Sequence, residues 1–257
     1  MINIGIIPAR IGSSRFPGKP LAKICGMPMI GHVYARSKMC KKLNDVYLAT
    51  CDKEIADYAQ SIGCKAIMTS DKHERASDRT AEAMLKIEKE KKQKADIVVM
   101  IQGDEPMLYP EMIDQALGAM SADKGIQVVN LMGKLKSQEE QNDPHEIKVV
   151  VGLDNFALYF SREPIPTSRK GITDFPMYKQ VCIIPFRRDF LLKFNQLDPT
   201  PLEKIESIDM LRVLENGYKV KMSLSEFDTY SVDTPADLKK VEYLMKNDFL
   251  LNKYLKT

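Results

Sequence analysis

The stretch "DIVVMIQ", residues 96–102, decides the fold. From Ile97 to Ile101 every residue is apolar, with no alternation of polar and apolar positions. A strand with one face in water alternates, whereas a strand buried on both faces reads as a continuous apolar run. The run is therefore an interior strand of a parallel sheet. Parallel neighbours need crossover connections, usually helices, and the flanking sequence supplies them. Upstream, "INIGII" (2–7) is a strand by its isoleucines and the proline that ends it. "PMIGHVYARSKMC" (28–40) sets Met29, Ile30, Val33 and Tyr34 at helical spacing. "DVYLAT" (45–50) is a strand, "KEIADYAQSIG" (53–63) a helix with Gly63 suited to its C′ position, and "KAIMT" (65–69) a strand. "SDRTAEAMLKIEKEKKQK" (77–94) and, downstream, "YPEMIDQALGAM" (109–120) are helices. This rhythm predicts an α/β fold with a mostly parallel, Rossmann-like central sheet flanked by helices.

The rhythm then changes. "IQVVNLMG" (126–133), "EIKVVVG" (146–152), "NFALYFSR" (155–162) and "YKQVCIIPF" (178–186) are strands with no long helix between the middle ones, so mixed or antiparallel pairing is expected. Helices return at "RRDFLLKFNQL" (187–197) and "ESIDMLRVLENG" (206–217). A strand, "YKVKMSL" (218–224), and a last helix, "TPADLKKVEYLMKNDFLL" (234–251), follow. With no Pro/Ser-rich linker and no repeat, the chain reads as one domain over 1–257 with a small mixed-sheet subdomain embedded at about 130–225.

Composition narrows the function. The 257 residues are 44% apolar, enough for a full core, and a net charge of only +3 gives no sign of general nucleic-acid binding. No 18-residue apolar span exists, so no transmembrane helix is expected. The start, "MINIGIIPAR", has neither the basic segment nor the long apolar core of a signal peptide. The five cysteines are odd in number and form no CxxC pair, which fits reduced, mostly buried thiols in a cytoplasmic protein and argues against zinc. The mixed signs of "KIEKEKKQK" (86–94) make it a solvated helix end.

The chemistry starts in "IPARIGSSRFPGKPL", residues 7–21. In α/β sheets ligands sit at the carboxyl ends of the strands, so a loop leaving the first strand lies at the site by construction. Arg10, Arg15 and Lys19 within ten residues, with serines and glycines between, suit several phosphates. A basic surface loop is the plain alternative. The loop is not a Walker A motif: five residues separate Gly12 from Gly18 where four are needed, and Pro20 follows Lys19 where Ser or Thr would hold magnesium.

The ordered set "PARIGSSRFPGKPL" (8–21), "GMPMIGHV" (26–33), "QGDEP" (102–106), "YFSREPIP" (159–166), "IESIDMLRVLENG" (205–217) and "SVDTPADL" (231–238) resembles the 3-deoxy-manno-octulosonate (KDO) cytidylyltransferases, from about residue 3 to 245. The resemblance implies a cytoplasmic homodimer of nucleotidyltransferase-type fold, with no membrane or nucleic-acid partner. The implied reaction joins CTP and a sugar acid into a CMP-sugar and releases pyrophosphate with Mg2+. It implies that Pro8, Ala9, Arg10, Ser13, Ser14, Arg15 and Lys19 clasp the nucleotide and that Asp104 and Asp233 hold the metal. It also implies Arg79 near phosphate, Ser70 near the base, and Gln102 at the pyrimidine or the sugar. Arg162, Gln180, Glu206 and Asp209, in the embedded subdomain, are the expected sugar-acid contacts. Asp233 has a plainer reading as a helix cap, and His73 is not read as a base.

The sugar subsite departs from the family pattern. "KQVCIIPF" stands where a "KHLGIYGY"-like strand is usual, so Gln180 replaces a histidine and Ile184–Pro185 replace Gly-Tyr. Asp209 in "IDMLRVL" is one methylene shorter than the usual glutamate, and "RKGITDFPMYKQ" (169–180) is compact, as in the 8-amino-KDO variant. A pocket built to bond particular hydroxyls rejects analogues that lack them. The acceptor is therefore expected to be KDO-like, with 8-amino-KDO, another modified sugar acid or a phosphonate as alternatives. A non-catalytic nucleotide-binding homologue and a sugar 1-phosphate nucleotidyltransferase are the competing classes. The first is opposed by Arg10, Arg15, Lys19, Asp104 and Asp233, the second by "VDTP" and "YFSR".

Overall fold

The computed structural model describes residues 1–12, 16–167, 171 and 175–255. Ser13, Ser14 and Arg15 of the cationic loop, and most of 168–174, lie outside the described residues. The chain divides into two compact units, Met1–Asp114 with Thr229–Thr257, and Gln115–Asp228.

The first unit begins with β1 (Asn3–Pro8). A 3-10 turn over Lys19–Leu21 leads to β2 (Lys23–Ile24) and β3 (Met27–Pro28), a minimal antiparallel hairpin. Its two turn residues, Cys25 and Gly26, have φ of 48° and 86°, the left-handed backbone that suits the twist of a two-residue hairpin turn. Next come α1 (Met29–Lys38), β4 (Asp45–Thr50), α2 (Lys53–Ser61), β5 (Lys65–Met68), α3 (Ala76–Lys91) and β6 (Ile97–Ile101). Gly63, with φ 70°, ends α2 at its C′ position as expected. β1 pairs in parallel with both β4 and β6, and β4 with β5, giving the order β6-β1-β4-β5. Ile6, Ile7, Leu48, Val98 and Val99 are fully buried, as the continuous apolar runs require. Since these strands are parallel, the segments 9–22, 51–52, 69–75 and 102–109 all leave the same edge. α4 (Pro110–Ala122) spans the unit boundary in sequence.

The second unit holds β7 (Val129–Lys134), α5 (Gln138–Asn142), β8 (Lys148–Val151), β9 (Ala157–Ser161), β10 (Tyr178–Val181), β11 (Ile183–Arg187), α6 (Arg188–Gln196), α7 (Pro201–Glu206), α8 (Asp209–Glu215) and β12 (Lys221–Leu224). Its sheet runs β12-β7-β10-β8-β9, parallel between β12 and β7 and antiparallel elsewhere. Mixed pairing was the expectation here. Two local readings change. The run 178–186 is two strands broken at Cys182, not one. The helix expected over 206–217 begins at Asp209, because Ser207 takes a left-handed φ of 55° and ends a separate helix, α7. Pro201 at its first position and the reciprocal Thr200/Glu203 capping box start that helix.

The chain then completes the first unit with α9 (Pro235–Met245) and α10 (Leu251–Tyr254), so the single terminal helix expected over 234–251 is interrupted. At the break Asp248 turns inward to Arg36 and also accepts from the Leu250 amide. Ile24, Met29, Met107, Val232, Val241, Met245 and Leu251 pack as one core, which fixes the backbone on the N-terminal side of α9. Cys40 and Cys64 are buried, whereas Cys25, Cys51 and Cys182 are only partly so, and no disulfide joins them. Among the described residues no helix is long and apolar enough to cross a membrane.

Candidate active site

The edge where the parallel strands end carries a cavity of about 340 Å³. Pro8 at the end of β1 and Ala9, Arg10 and Gly12 after it line it, with Lys19, His73, Arg75, Arg79, Gln102 and Asp104. The loop after β1 is pinned at both ends. The Ile11 amide donates to Asp52 Oδ2 at 2.7 Å, and the Gly18 amide to the Ile11 carbonyl at 3.2 Å. Gly18 itself has φ 75°, which lets the chain turn into the 3-10 segment that presents Lys19. Gly103 matters for a different reason: a Cβ there would lie 2.8 Å from Ile30 Cδ1, so a larger residue would have to displace the end of that side chain on α1.

Lys19 lies at the centre of the acidic groups. Its Nζ donates to the Val232 carbonyl at 2.8 Å and lies 3.3 Å from both Asp104 Oδ2 and Asp233 Oδ1. Two aspartates 129 positions apart (233 − 104) therefore reach one ammonium. The backbone enforces this, because the Val232 amide donates to the Asp104 carbonyl at 2.9 Å. Burial disfavours the charge on Lys19, but Asp104 and Asp233 outweigh it and hold its pKa above the ordinary lysine value. Asp233 is not the helix cap. Thr234 and Asp237 form the capping box of α9, and the Asp233 carboxylate takes Lys19. Nor does a strand end at Asp233; residues 229–234 are irregular and held by the core below them.

These residues fit a hard divalent cation. Two carboxylates converge on one positive charge with a main-chain carbonyl beside them, and magnesium is commonly held by one or two carboxylates with phosphates and water completing its shell. Among the described residues no group of three or more His, Cys, Asp or Glu is placed to hold a metal.

The wall formed by 69–79 is braced from α3. Glu82 accepts from the Ser70 amide at 2.9 Å and from His73 Nε2, and pairs with Lys86 at 2.7 Å. Burial works against its charge, but these donors prevail and carry its pKa down to about 2. Arg79, expected at phosphate, is 3% exposed and donates to Thr69 Oγ1 and the His73 carbonyl, so it braces the wall it lines. Ser70 accepts from the Lys72 amide and does not line the cavity. Arg75, at the N-cap of α3, and Gly12 do line it and were not singled out in the sequence. A cation at a helix start, where the dipole disfavours it unless an anion is near, was the available signal for Arg75.

Of the expected sugar contacts, Gln102 lies in the first unit and Arg162, Gln180, Glu206 and Asp209 in the second. Glu206 accepts from Ser161 Oγ at 2.8 Å, the Arg162 amide at 2.9 Å and Tyr159 Oη at 3.4 Å. Arg162 directs its guanidinium to the carbonyls of Glu206, Pro144 and Ser207 rather than presenting an open fork. The reason is local: the end of α7 leaves carbonyls that need donors. Gln180 Nε2 donates to Asn130 Oδ1 at 2.6 Å, and Asn130 is itself buried and donates to the Leu131 and Val181 carbonyls. Asp209 is the first residue of α8.

Known proteins resemble the chain along most of its length. A family model described as "Cytidylyltransferase" matches residues 4–223. The 3-deoxy-manno-octulosonate cytidylyltransferase of Geobacter metallireducens is 42% identical over 92% of this chain and 94% of its own. The 8-amino-3,8-dideoxy-manno-octulosonate cytidylyltransferase of Shewanella pealeana is 41% identical over 92% of this chain and 96% of its own. A solved CMP:2-keto-3-deoxy-manno-octonic acid synthetase complexed with CTP superposes with a TM-score of 0.87 at 40% identity, over 96% of this chain and 99% of that one.

Proposed function

Because the chain belongs to the cytidylyltransferase family, and within it to the 3-deoxy-manno-octulosonate enzymes, we propose that it transfers CMP from CTP to a KDO-like sugar acid. The anomeric hydroxyl of the acid attacks the α-phosphorus, the bond to the β-phosphate oxygen breaks, and pyrophosphate leaves with the electron pair. The observation that carries this reading is the convergence of Lys19, Asp104 and Asp233 beside the cavity that Arg10 lines.

Protein catalysis of such a step is mostly positioning and charge neutralisation. Arg10 and Lys19 bind the β- and γ-phosphates and stabilise the charge that grows on the leaving group. Amides at the start of α3, beside Ala76 in the cavity wall, favour the same anion. Asp104 and Asp233 would hold magnesium, which, when bound, neutralises phosphate charge and lowers the pKa of the attacking hydroxyl. Gln102 lies in the cavity wall and bonds the base or the sugar. Glu206, with Arg162, Gln180 and Asp209, shapes the acceptor end, where Glu206 anchors the 159–162 segment. The enzyme works as a homodimer in this reading.

Relatives named for KDO and for 8-amino-KDO are almost equally similar to this chain, which supports an acceptor within that class. The test is pyrophosphate release from CTP, UTP, dTTP and GTP with KDO, 8-amino-KDO and other 2-keto-3-deoxy sugar acids, with product mass. Release with CTP and at least one of these acids is expected. No release with any of them refutes the proposal.

A further inference from the structure

We propose that Lys19 is the resident cation of the Asp104–Asp233 pair in the nucleotide-free protein, and that it gives up this position to the divalent ion only when a triphosphate arrives. The inference deepens the proposed function and rests on its assignment of these aspartates as metal ligands. It adds an order of binding, nucleotide with or before metal, and a second task for a residue otherwise assigned only to phosphate.

The geometry sets the two cations in competition. The ammonium contacts Asp104 Oδ2 and Asp233 Oδ1 at the same 3.3 Å, and Val232 O at 2.8 Å. The side chains are sheltered, at 14% exposure for Lys19, 23% for Asp104 and 17% for Asp233. A divalent ion held by Asp104 Oδ2 and Asp233 Oδ1 would compete with Nζ for the same two oxygens. Two carboxylates that share one ammonium repel one another once it leaves, which favours a replacement cation. One cation therefore replaces another.

The exchange also needs a destination for the ammonium. Without nucleotide it has none: leaving the carboxylates strands a sheltered charge, which is unfavourable. Lys19 borders the same cavity as Arg10 and Arg75, so a triphosphate entering there offers the ammonium new anionic oxygens. It also brings the oxygen ligands that an ion on two carboxylates lacks. The Lys19 backbone need not move. Its amide donates to Phe16 O at 3.1 Å and its carbonyl accepts from Ala22 at 3.1 Å, while the four-carbon stem rotates freely enough to carry the charge across.

Manganese binding, read directly by electron paramagnetic resonance without acceptor, tests this. The free wild-type protein should bind Mn2+ weakly, and Lys19→Met should bind it on the order of tenfold more tightly or better without nucleotide, since the competing cation is gone. Lys19→Arg keeps a cation in place and should resemble wild type, which separates charge from folding. CTP should raise the affinity of both proteins through its phosphate oxygens, but by a larger factor in wild type, where it also draws the ammonium away. Equal Mn2+ affinity of free wild type and Lys19→Met, both with unchanged circular dichroism, overturns the exchange. If CTP-dependent Mn2+ binding by wild type is nonetheless lost in Asp104→Asn/Asp233→Asn, the metal assignment survives that result. If that double variant still binds Mn2+ as wild type does, the metal assignment falls and the exchange with it.

Discussion

Glu82 shows how a residue away from the cavity controls residues that line it. Its carboxylate holds the Ser70 amide and the His73 ring, and Arg79, three residues earlier on the same helix, holds Thr69 and the His73 carbonyl. The folded carboxyl titrates at about 2, below its ordinary 4.5, so the unfolded state binds the proton more readily. Its contribution to stability is therefore full above about pH 4.5 and fades as pH falls toward about 2. Urea unfolding of wild type and Glu82→Gln across this range measures it. The wild-type advantage should shrink on acidification; an advantage that stays flat or grows contradicts the assignment. Arg10, Lys19 and Asp104 were legible in the sequence because motifs that follow strands carry them, and Asp233 because "SVDTPADL" does, although no strand ends there. Glu82 was not, because an acid between apolar residues of a charged helix reads as solvated surface. The Val232 carbonyl, a partner of Lys19 equal to either aspartate, was invisible in principle: main-chain groups have no letter of their own. Arg162 reads as a ligand-binding fork, yet the carbonyls at the end of α7 claim it.

At the scale of elements, α9 places Asp233 by starting where it does. Thr234 accepts from the Asp237 amide, and Asp237 answers through the Asp233 and Thr234 amides, which fixes the residue that faces Lys19. Thr234→Ala should lower stability by about 1 kcal/mol. It should also raise the CTP and Mg2+ concentrations needed for half-maximal rate, because Asp233 loses its frame. Thermal unfolding together with steady-state kinetics checks both; an unchanged melting temperature with unchanged kinetics counts against the cap. Long periodic elements were readable: β1, β4, β6, α2 and α3 lie within a residue or two of expectation at their starts. The β2–β3 hairpin was missed because two-residue strands carry no period and Cys25 is an unusual residue at positive φ. The 206–217 helix was read too long at its start because Ser207, also at positive φ, leaves no mark in an otherwise helical pattern. The run 178–186 was read as one strand since apolar content alone does not report a break at Cys182.

At the scale of the molecule, the first unit is closed by residues from the far end of the chain. Arg36, fully buried on α1, donates to the Met107 and Leu108 carbonyls, to Tyr254 Oη and to Asp248, 212 positions away. Removing one partner of a buried pair leaves an uncompensated charge, so Asp248→Ala should lower stability by about 3–5 kcal/mol. The urea midpoint reads this directly, and a loss below about 1 kcal/mol contradicts the role given to the pair. The parallel sheet and the change of rhythm in its middle were legible because burial on both faces writes itself into apolar runs. Reading 130–225 as embedded already implied that the chain returns after it, but the break between α9 and α10, where Asp248 turns to Arg36, left no mark in an apolar helix pattern. The same return brings Asp233 to Asp104, and the whole account depends on that meeting. The most direct measurement is pyrophosphate release from CTP and KDO by wild type and by Asp104→Asn, with circular dichroism confirming that both are folded. The account predicts turnover by wild type and a loss of at least about a hundredfold in the variant; near-normal turnover by a folded Asp104→Asn protein would contradict it.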